Sequence, residues 1–220
     1  MINASFIFVA VGSNIEPEEN IPAALTVLMK STRVLASSTF YRTEAVGPLH
    51  QPDFVNGVWQ IDTALAASEV KKRLLLPIER KLGRERTNDQ FAPRTIDLDL
   101  VLYDDRVIDD GCMRLPHPDL KRTFVCMPVM ELLTASVDID PVMAGRVMAL
   151  LPPVTPEAMP GDVLVEFSLL LRTMLASRTG LDIGNNNARK SQGGRADTRT
   201  SSGRTGLDQI VSDVSDGIAE

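Results

Sequence analysis

Cysteine, histidine and tryptophan are scarce in this 220-residue chain, at two, two and one. Cys112 and Cys126 lack the spacing of a metal motif, which argues against a cysteine-ligated centre and for reduced thiols. Cys126, inside an apolar run, reads as a small core residue. No apolar run approaches the length of a membrane span. The start, Met-Ile-Asn-Ala-Ser, has no charged segment followed by a signal-length apolar stretch, so a cytoplasmic location is expected. Basic excess is also missing: the formal net charge is −6, which argues against a general nucleic-acid or membrane-surface binder. There is no aromatic-plus-basic sheet signature of an RNA module. Gly12 precedes a helix, but no second glycine and no Lys-Ser/Thr pair follow, so a phosphate loop is rejected. No internal repeat is present. Against these shortages, the 44% hydrophobic content is ordinary for a globular protein with a real core.

The chain then reads in order. Ser5 to Val11 is an apolar run suited to a buried central strand, ended by the turn chemistry of Gly12-Ser13-Asn14. A helix is expected from about Glu18 to Lys30, with Pro22 tolerable only in a first turn. Arg33 to Tyr41 predicts a second strand, Arg42 to Asp53 a long loop, and Phe54 to Thr63 a third strand. Ser68 is placed to cap a helix through about Leu82, with Gly83 as its stop and Pro77 as a kink. Thr95 to Tyr103 alternates as a strand. A turn at Asp104-Asp105 leads to a short strand near Val107-Ile108, Arg114 to Asp119 reads as loop, and Thr123 to Leu133 as helix. From Pro152 the composition changes to a linker. Asp162 is then placed to cap an apolar helix to about Ser177, whose face (Phe167, Leu170, Leu171, Met174, Leu175) must dock on something. The Asn, Gly, Ser and Arg-rich stretch from Asn185 to Gly206 predicts disorder, and Leu207 to Glu220 a marginal acidic helix. The expected organisation is a main domain over 1–151, a linker with an extra helix over 152–184, and a disordered tail over 185–220.

The chemistry concentrates between Gly83 and Tyr103. Asp97 and Asp99 share one face of their strand, while Ile96, Leu98 and Leu100 share the other. Two neighbouring carboxylates repel, and a divalent cation with oxygen ligands resolves that conflict. Arg84, Arg86 and Arg94 lie just upstream as forked donors suited to phosphate oxygens. Together these are the parts of a phosphoryl-transfer site. On this stretch alone an edge strand with a solvated aspartate pair stands level with it. Phe54 and Asn56 share a face of the third strand, an aromatic plate beside an amide that suits a flat heterocycle. The ordinary alternative is a core Phe and an edge Asn. His117 lies in a loop, where most histidines are simply exposed.

Five blocks occur in order: Val11-Gly12-Ser13-Asn14; Tyr41-Arg42-Thr43 through Gly47-Pro48 to Gln51-Pro52-Asp53-Phe54-Val55-Asn56; Ile78-Glu79 with Leu82-Gly83-Arg84; Phe91 to Val101; and Leu115-Pro116-His117-Pro118. Together they resemble the 6-hydroxymethyl-7,8-dihydropterin pyrophosphokinase family, over roughly the first two thirds of the chain. The resemblance implies an α+β domain of ferredoxin-like topology, an antiparallel sheet flanked by helices, which passes a diphosphate from ATP to a dihydropterin alcohol in folate synthesis and releases AMP. It implies that Asp97 and Asp99 hold two Mg²⁺ ions, and that Arg84, Arg94 and His117 face the phosphates. Leu100, Met113 and Arg114 are implied around the adenine, with Glu79 and Arg122 as further nucleotide contacts. Phe54 and Phe124 are implied to sandwich the pterin, with Asn56 and groups near Thr43 and Val46 reading its edge. The chain departs from the family pattern at Gln90, usually charged, and Phe91, commonly Trp; the stretch from His117 to Arg122 is one residue short. A monomer is expected. The competing readings are another Mg²⁺-dependent nucleotidyl or phosphoryl transferase, and a non-enzymatic ferredoxin-like binding module.

Overall fold

Strand β1 (Ile7–Ser13) lies inside a six-stranded antiparallel sheet, with β4 (Phe54–Asp62) on one side and β5 (Asp97–Tyr103) on the other. The computed structural model describes residues 6–45, 51–85, 89, 92–135, 140–153 and 161–185. β1 runs two residues past its expected end at Val11, because Gly12 and Ser13 still pair across to Asn56 and Val55. The second expected strand is broken into β2 (Arg33–Ser37) and β3 (Tyr41–Thr43), both paired with β4. Ser38 makes the break: its N–H donates to the Val58 carbonyl at 3.0 Å and its Oγ accepts from the Val58 N–H at 2.9 Å. The chain then turns the Phe40 ring onto Gly57, where an added Cβ would sit 2.5 Å from the ring. Gly57→Ala is therefore expected to cost about 2 kcal/mol through overpacking, read by urea denaturation.

Counting β2 and β3 as one broken strand, the sheet order β5-β1-β4-β2/β3 with helices after β1 and β4 is the ferredoxin-like arrangement. One face carries α1 (Pro17–Ser31) against β1. Beside it runs a helical rod over 67–81, made of α2 (Ala67–Glu69), a wide π segment (Val70–Leu75) and α3 (Leu76–Lys81). The other face buries Phe8, Val58 and Val101 under Val125, Val129 and Leu132 of α4 (Thr123–Ala135). Pro22 falls inside α1 rather than in its first turn. Its missing N–H costs the helix the bond to the Glu18 carbonyl, and its ring is buried.

The rod begins without the expected Ser68 cap: the cap position is Ala66, with no side-chain bond. Pro77 acts as expected of a helix breaker, but the answer is a π turn, with the Leu76 N–H reaching the Lys71 carbonyl. The stop is as the sequence suggests. Gly83 takes φ 72°, its N–H bonds the Arg80 carbonyl at 3.1 Å, and the Arg84 N–H bonds the Glu79 carbonyl at 2.9 Å. This Schellman closure fixes the direction in which Arg84 leaves the helix.

Three elements depart from expectation further on. Arg114 is not in a loop but in β7 (Arg114–Leu115), which pairs with β6 (Ile108–Asp109), and a 3₁₀ turn (Pro118–Lys121) follows. An unanticipated short helix, α5 (Pro141–Met148), is capped by Asp140, whose carboxylate accepts from the Val142 N–H at 3.0 Å, and adds Val147 to the core. Asp162 does not cap a helix; it lies in β8 (Asp162–Val163), which pairs with β3.

The chain divides into two compact units, Met1–Thr173 and Met174–Glu220. The first unit thus extends past the expected domain end and takes in β8 and the start of α6 (Val165–Asn185). There Phe167 meets Phe40 edge-on at 5.7 Å, Leu171 is fully buried, and Arg172 binds Glu131 at 2.7 Å, so the part of α6 within this unit docks as its apolar content requires. Leu170, expected on the docked face, is 40% exposed. Of the second unit the description covers only the remainder of α6, to Asn185. α6 runs on to Asn185, past the expected helix end near Ser177 and into the first residue of the expected tail; the rest of that tail, 186–220, and most of the linker, 154–160, lie outside the described residues. Among the described residues no helix is long and apolar enough to cross a membrane.

Candidate active site

Gly12 organises the site. Across the sheet it is flanked by Asp97 of β5 on one side and Asn56 of β4 on the other. Strand spacing places those two Cα atoms about 10 Å apart. Asp99 projects from the same face one step along, opposite Ala10. A Cβ on Gly12 would stand 2.8 Å from Asn56 Oδ1, so the missing side chain is what lets that amide lie over the strand. A cavity of about 430 Å³ opens over this row.

The carboxylate end is an ion-pair cluster. Asp97 accepts from Arg84 Nη1 through one oxygen and from Arg94 Nη1 through the other. Arg84 also binds Glu79, which is 2% exposed and accepts the Leu98 N–H at 2.9 Å. Lys71, on the π turn, donates Nζ to Asp99 Oδ1 at 2.9 Å. Three carboxylates thus face three cationic side chains. Burial works to lower the Arg84 guanidinium, but Asp97 and Glu79 overcome it and hold Arg84 above its ordinary range. Burial likewise pushes the Asp99 carboxyl up; the Lys71 ammonium, with His117 and Arg84 beyond it, outweighs that and holds it below the usual carboxylate range.

The other end is aromatic. Phe54 and Phe124 both line the cavity, each with a guanidinium over its ring, Arg94 at 5.8 Å and Arg122 at 5.7 Å. Asn56, buried, donates Nδ2 to Thr43 Oγ1 at 2.8 Å, which fixes which way its amide points. An amide held this way, on a cavity wall shared with two aromatic rings, offers a donor and an acceptor to the edge of a flat ring.

Of the residues singled out by sequence, the cavity wall brings together Thr43, Phe54, Asn56, Arg94, Asp97, Asp99, Arg122 and Phe124. Arg84 stands behind Asp97. His117 does not line the cavity; its Nδ1 accepts the Asp119 N–H at 3.3 Å. Four expected nucleotide contacts are elsewhere. Glu79 is buried beneath Arg84, and Leu100 is a core residue, 3% exposed. Met113 lies in the turn of the β6–β7 hairpin and Arg114 at the start of β7, with Arg114 paired to Asp109 at 3.6 Å. Val46, Arg86, Gln90 and Phe91 lie outside the described residues.

Two residues escaped the sequence reading. Asn14, read as turn chemistry, ties three segments together. Its Oδ1 accepts the Arg94 N–H at 2.8 Å, and its Nδ2 donates to Gln51 Oε1 at 3.0 Å and to the Pro52 carbonyl at 3.2 Å. It thereby fixes the approaches to β4 and β5 against the end of β1. Lys71 gave no signal, because only the π turn directs it to Asp99.

The donor set suits a particular kind of metal. Among the described residues no group of three or more His, Cys, Asp and Glu could hold an ion. Two hard carboxylates with cationic stand-ins already beside them fit Mg²⁺, which is held by one or two carboxylates and completes its shell with water and phosphate oxygens.

Comparisons with known proteins identify the family. The family model described as 7,8-dihydro-6-hydroxymethylpterin-pyrophosphokinase matches residues 8–134, which contain the whole cavity wall. A 2-amino-4-hydroxy-6-hydroxymethyldihydropteridine pyrophosphokinase of Pseudomonas aeruginosa is 39% identical over 130 residues, 57% of this chain and 79% of that protein. The protein of the same name from Haemophilus influenzae is 36% identical over 129 residues, again 57% and 79%. The folic acid synthesis protein fol1 of Schizosaccharomyces pombe is 39% identical over 129 residues, 57% of this chain but 17% of that longer protein. The chain belongs to the 7,8-dihydro-6-hydroxymethylpterin-pyrophosphokinase family.

Proposed function

We propose that this chain transfers diphosphate from ATP to the hydroxymethyl oxygen of 6-hydroxymethyl-7,8-dihydropterin, releasing AMP, as a step of folate synthesis. The observation that carries the reading is the row Asp97–Gly12–Asn56, which puts a carboxylate–arginine cluster and an aromatic–amide slot on one sheet face, over one cavity.

Phe54 and Phe124 hold the pterin ring, while Asn56, oriented by Thr43, reads its edge. That leaves the hydroxymethyl arm directed along the row toward Asp97. Asp97 and Asp99 would hold two Mg²⁺ ions, which when bound supply Lewis-acid polarisation of the phosphate oxygens. Arg84 and Arg94 are the forked donors for the diphosphate being transferred, and Arg122 adds positive charge at the mouth. The alcohol oxygen forms a bond to the β-phosphorus, the bond from that phosphorus to the α–β bridging oxygen breaks, AMP leaves with the bridging oxygen, and the alcohol proton passes to solvent. The residues act by alignment and charge, and no covalent enzyme intermediate is needed. The residues assigned to this chemistry all lie within the first unit, Met1–Thr173. The enzyme acts as a cytoplasmic monomer without a nucleic-acid or membrane partner.

ATP labelled at the γ phosphorus should pass its label to the pterin, and ATP labelled at the α phosphorus should leave its label on AMP. Label from γ on free phosphate, with ADP formed, would refute diphosphate transfer. Gly12→Ala forces the Asn56 amide off its place and is expected to raise the KM for the pterin about tenfold with a smaller change in KM for ATP, measured by steady-state kinetics.

A further inference from the structure

Lys71 has no part in the transfer as described, yet it is the one side chain of the helical rod that bonds to Asp99 among the described residues. It sits at the second position of the π segment Val70–Leu75, and its own carbonyl receives the Leu76 N–H of the wide turn. The segment packs against β5, so the altered helical register presents this lysine to the Asp-x-Asp strand. Wide turns of this kind recur at functional sites.

We propose that Lys71 is a built-in counter-cation for Asp99, which holds that carboxylate in place before metal binds, is displaced when the divalent cation arrives, and so sets the metal concentration at which the site loads. The inference rests on the reading of Asp97 and Asp99 as the metal-holding pair.

Three observations carry it. The cluster already balances its carboxylates with cationic side chains, so an incoming cation must replace one of them or meet excess positive charge. Asp97 is held by two arginines whose planar forks are also anchored elsewhere, Arg84 on Glu79 and Arg94 through Nε on the Ala92 carbonyl at 3.3 Å. Asp99 is held by a lysine, a point charge on a flexible stem that is released far more easily than a fork. Finally, the Lys71 side chain is 39% exposed, against 15% for Arg84 and 19% for Arg94, so of the three it has the open path into water.

The test is Mn²⁺ binding to the nucleotide-free full chain, followed by the electron paramagnetic resonance of the free ion, which is independent of turnover. Lys71→Met keeps helix propensity and stem length but removes the charge. It is expected to bind Mn²⁺ about fivefold more tightly than the wild type, the size of a partly exposed ion pair. Lys71→Arg, which restores a cation, should return the affinity to the wild-type value or below. Equal or weaker binding by Lys71→Met overturns the proposal, weaker binding meaning that the lysine supports the metal or its waters. Asp99→Asn separates the two levels: if it binds Mn²⁺ as the wild type does, the metal-holding reading itself fails and this inference with it.

Discussion

Asp97→Asn is expected to lower pterin-dependent AMP formation by about three orders of magnitude while leaving the protein folded. Asparagine keeps the shape of the side chain and one oxygen acceptor, but removes the charge that a divalent cation needs. The arginines that bind Asp97 are not left adrift. Arg84 keeps its bond to the buried Glu79, and Arg94 keeps the Asn14 clamp, with bonds of 2.8 Å to Asn14 Oδ1 and 3.2 Å from the Asn14 N–H. Steady-state AMP release read beside a melting curve checks both halves. Activity within tenfold of wild type, from a folded sample, would remove Asp97 from the centre of the mechanism.

Glu79→Ala is expected to show the opposite pattern, a loss of stability of about 3 kcal/mol. For a chain of this size that lowers Tm by about 6–12 °C. The resemblance implied a nucleotide contact for Glu79, but its carboxylate lies beneath the cavity. It accepts the buried Leu98 N–H at 2.9 Å and holds Arg84 from behind. Alanine leaves that N–H without this acceptor and takes from Arg84 the carboxylate that holds it opposite Asp97. Any effect on the KM for ATP follows from the disturbed Arg84, so Glu79→Gln, which keeps an acceptor for Leu98, should recover part of the stability. An unchanged Tm with a raised KM for ATP would restore the direct contact and contradict this account.

What the sequence made legible was local, or repeated in a recognised order. The alternation from Asp97 to Leu100 put two carboxylates on one face, and the pairing with β1 keeps them there. Phe54 and Asn56 share a face because they are two apart on one strand, and Gly83 ends its helix through a positive φ. What stayed hidden depends on contacts far apart in the chain. The break between β2 and β3 needs Ser38 to find Val58 and Phe40 to find Gly57. The edge strand β8 forms only because residues 162–163 return to β3, more than a hundred residues away, so Asp162 with its helix-cap chemistry is drawn into a ladder. Asn14 looks like turn chemistry until its three partners are known. Lys71 shows no pattern at all; its role arises from a proline six residues on and a turn that widened to accommodate it. Leu100, implied near the adenine, has its side chain packed in the core of β5, so the sequence could not tell a buried strand residue from one that meets a ligand.

The central claim is that one cavity joins a pterin slot to a diphosphate-transfer site. AMP release from ATP and Mg²⁺, followed with and without 6-hydroxymethyl-7,8-dihydropterin, tests it most directly. The account predicts AMP only when the pterin is present, in step with the diphosphorylated pterin and lost when Mg²⁺ is chelated. AMP or ADP release indifferent to the pterin would contradict it, because the aromatic–amide end of the cavity would then have no part in the reaction.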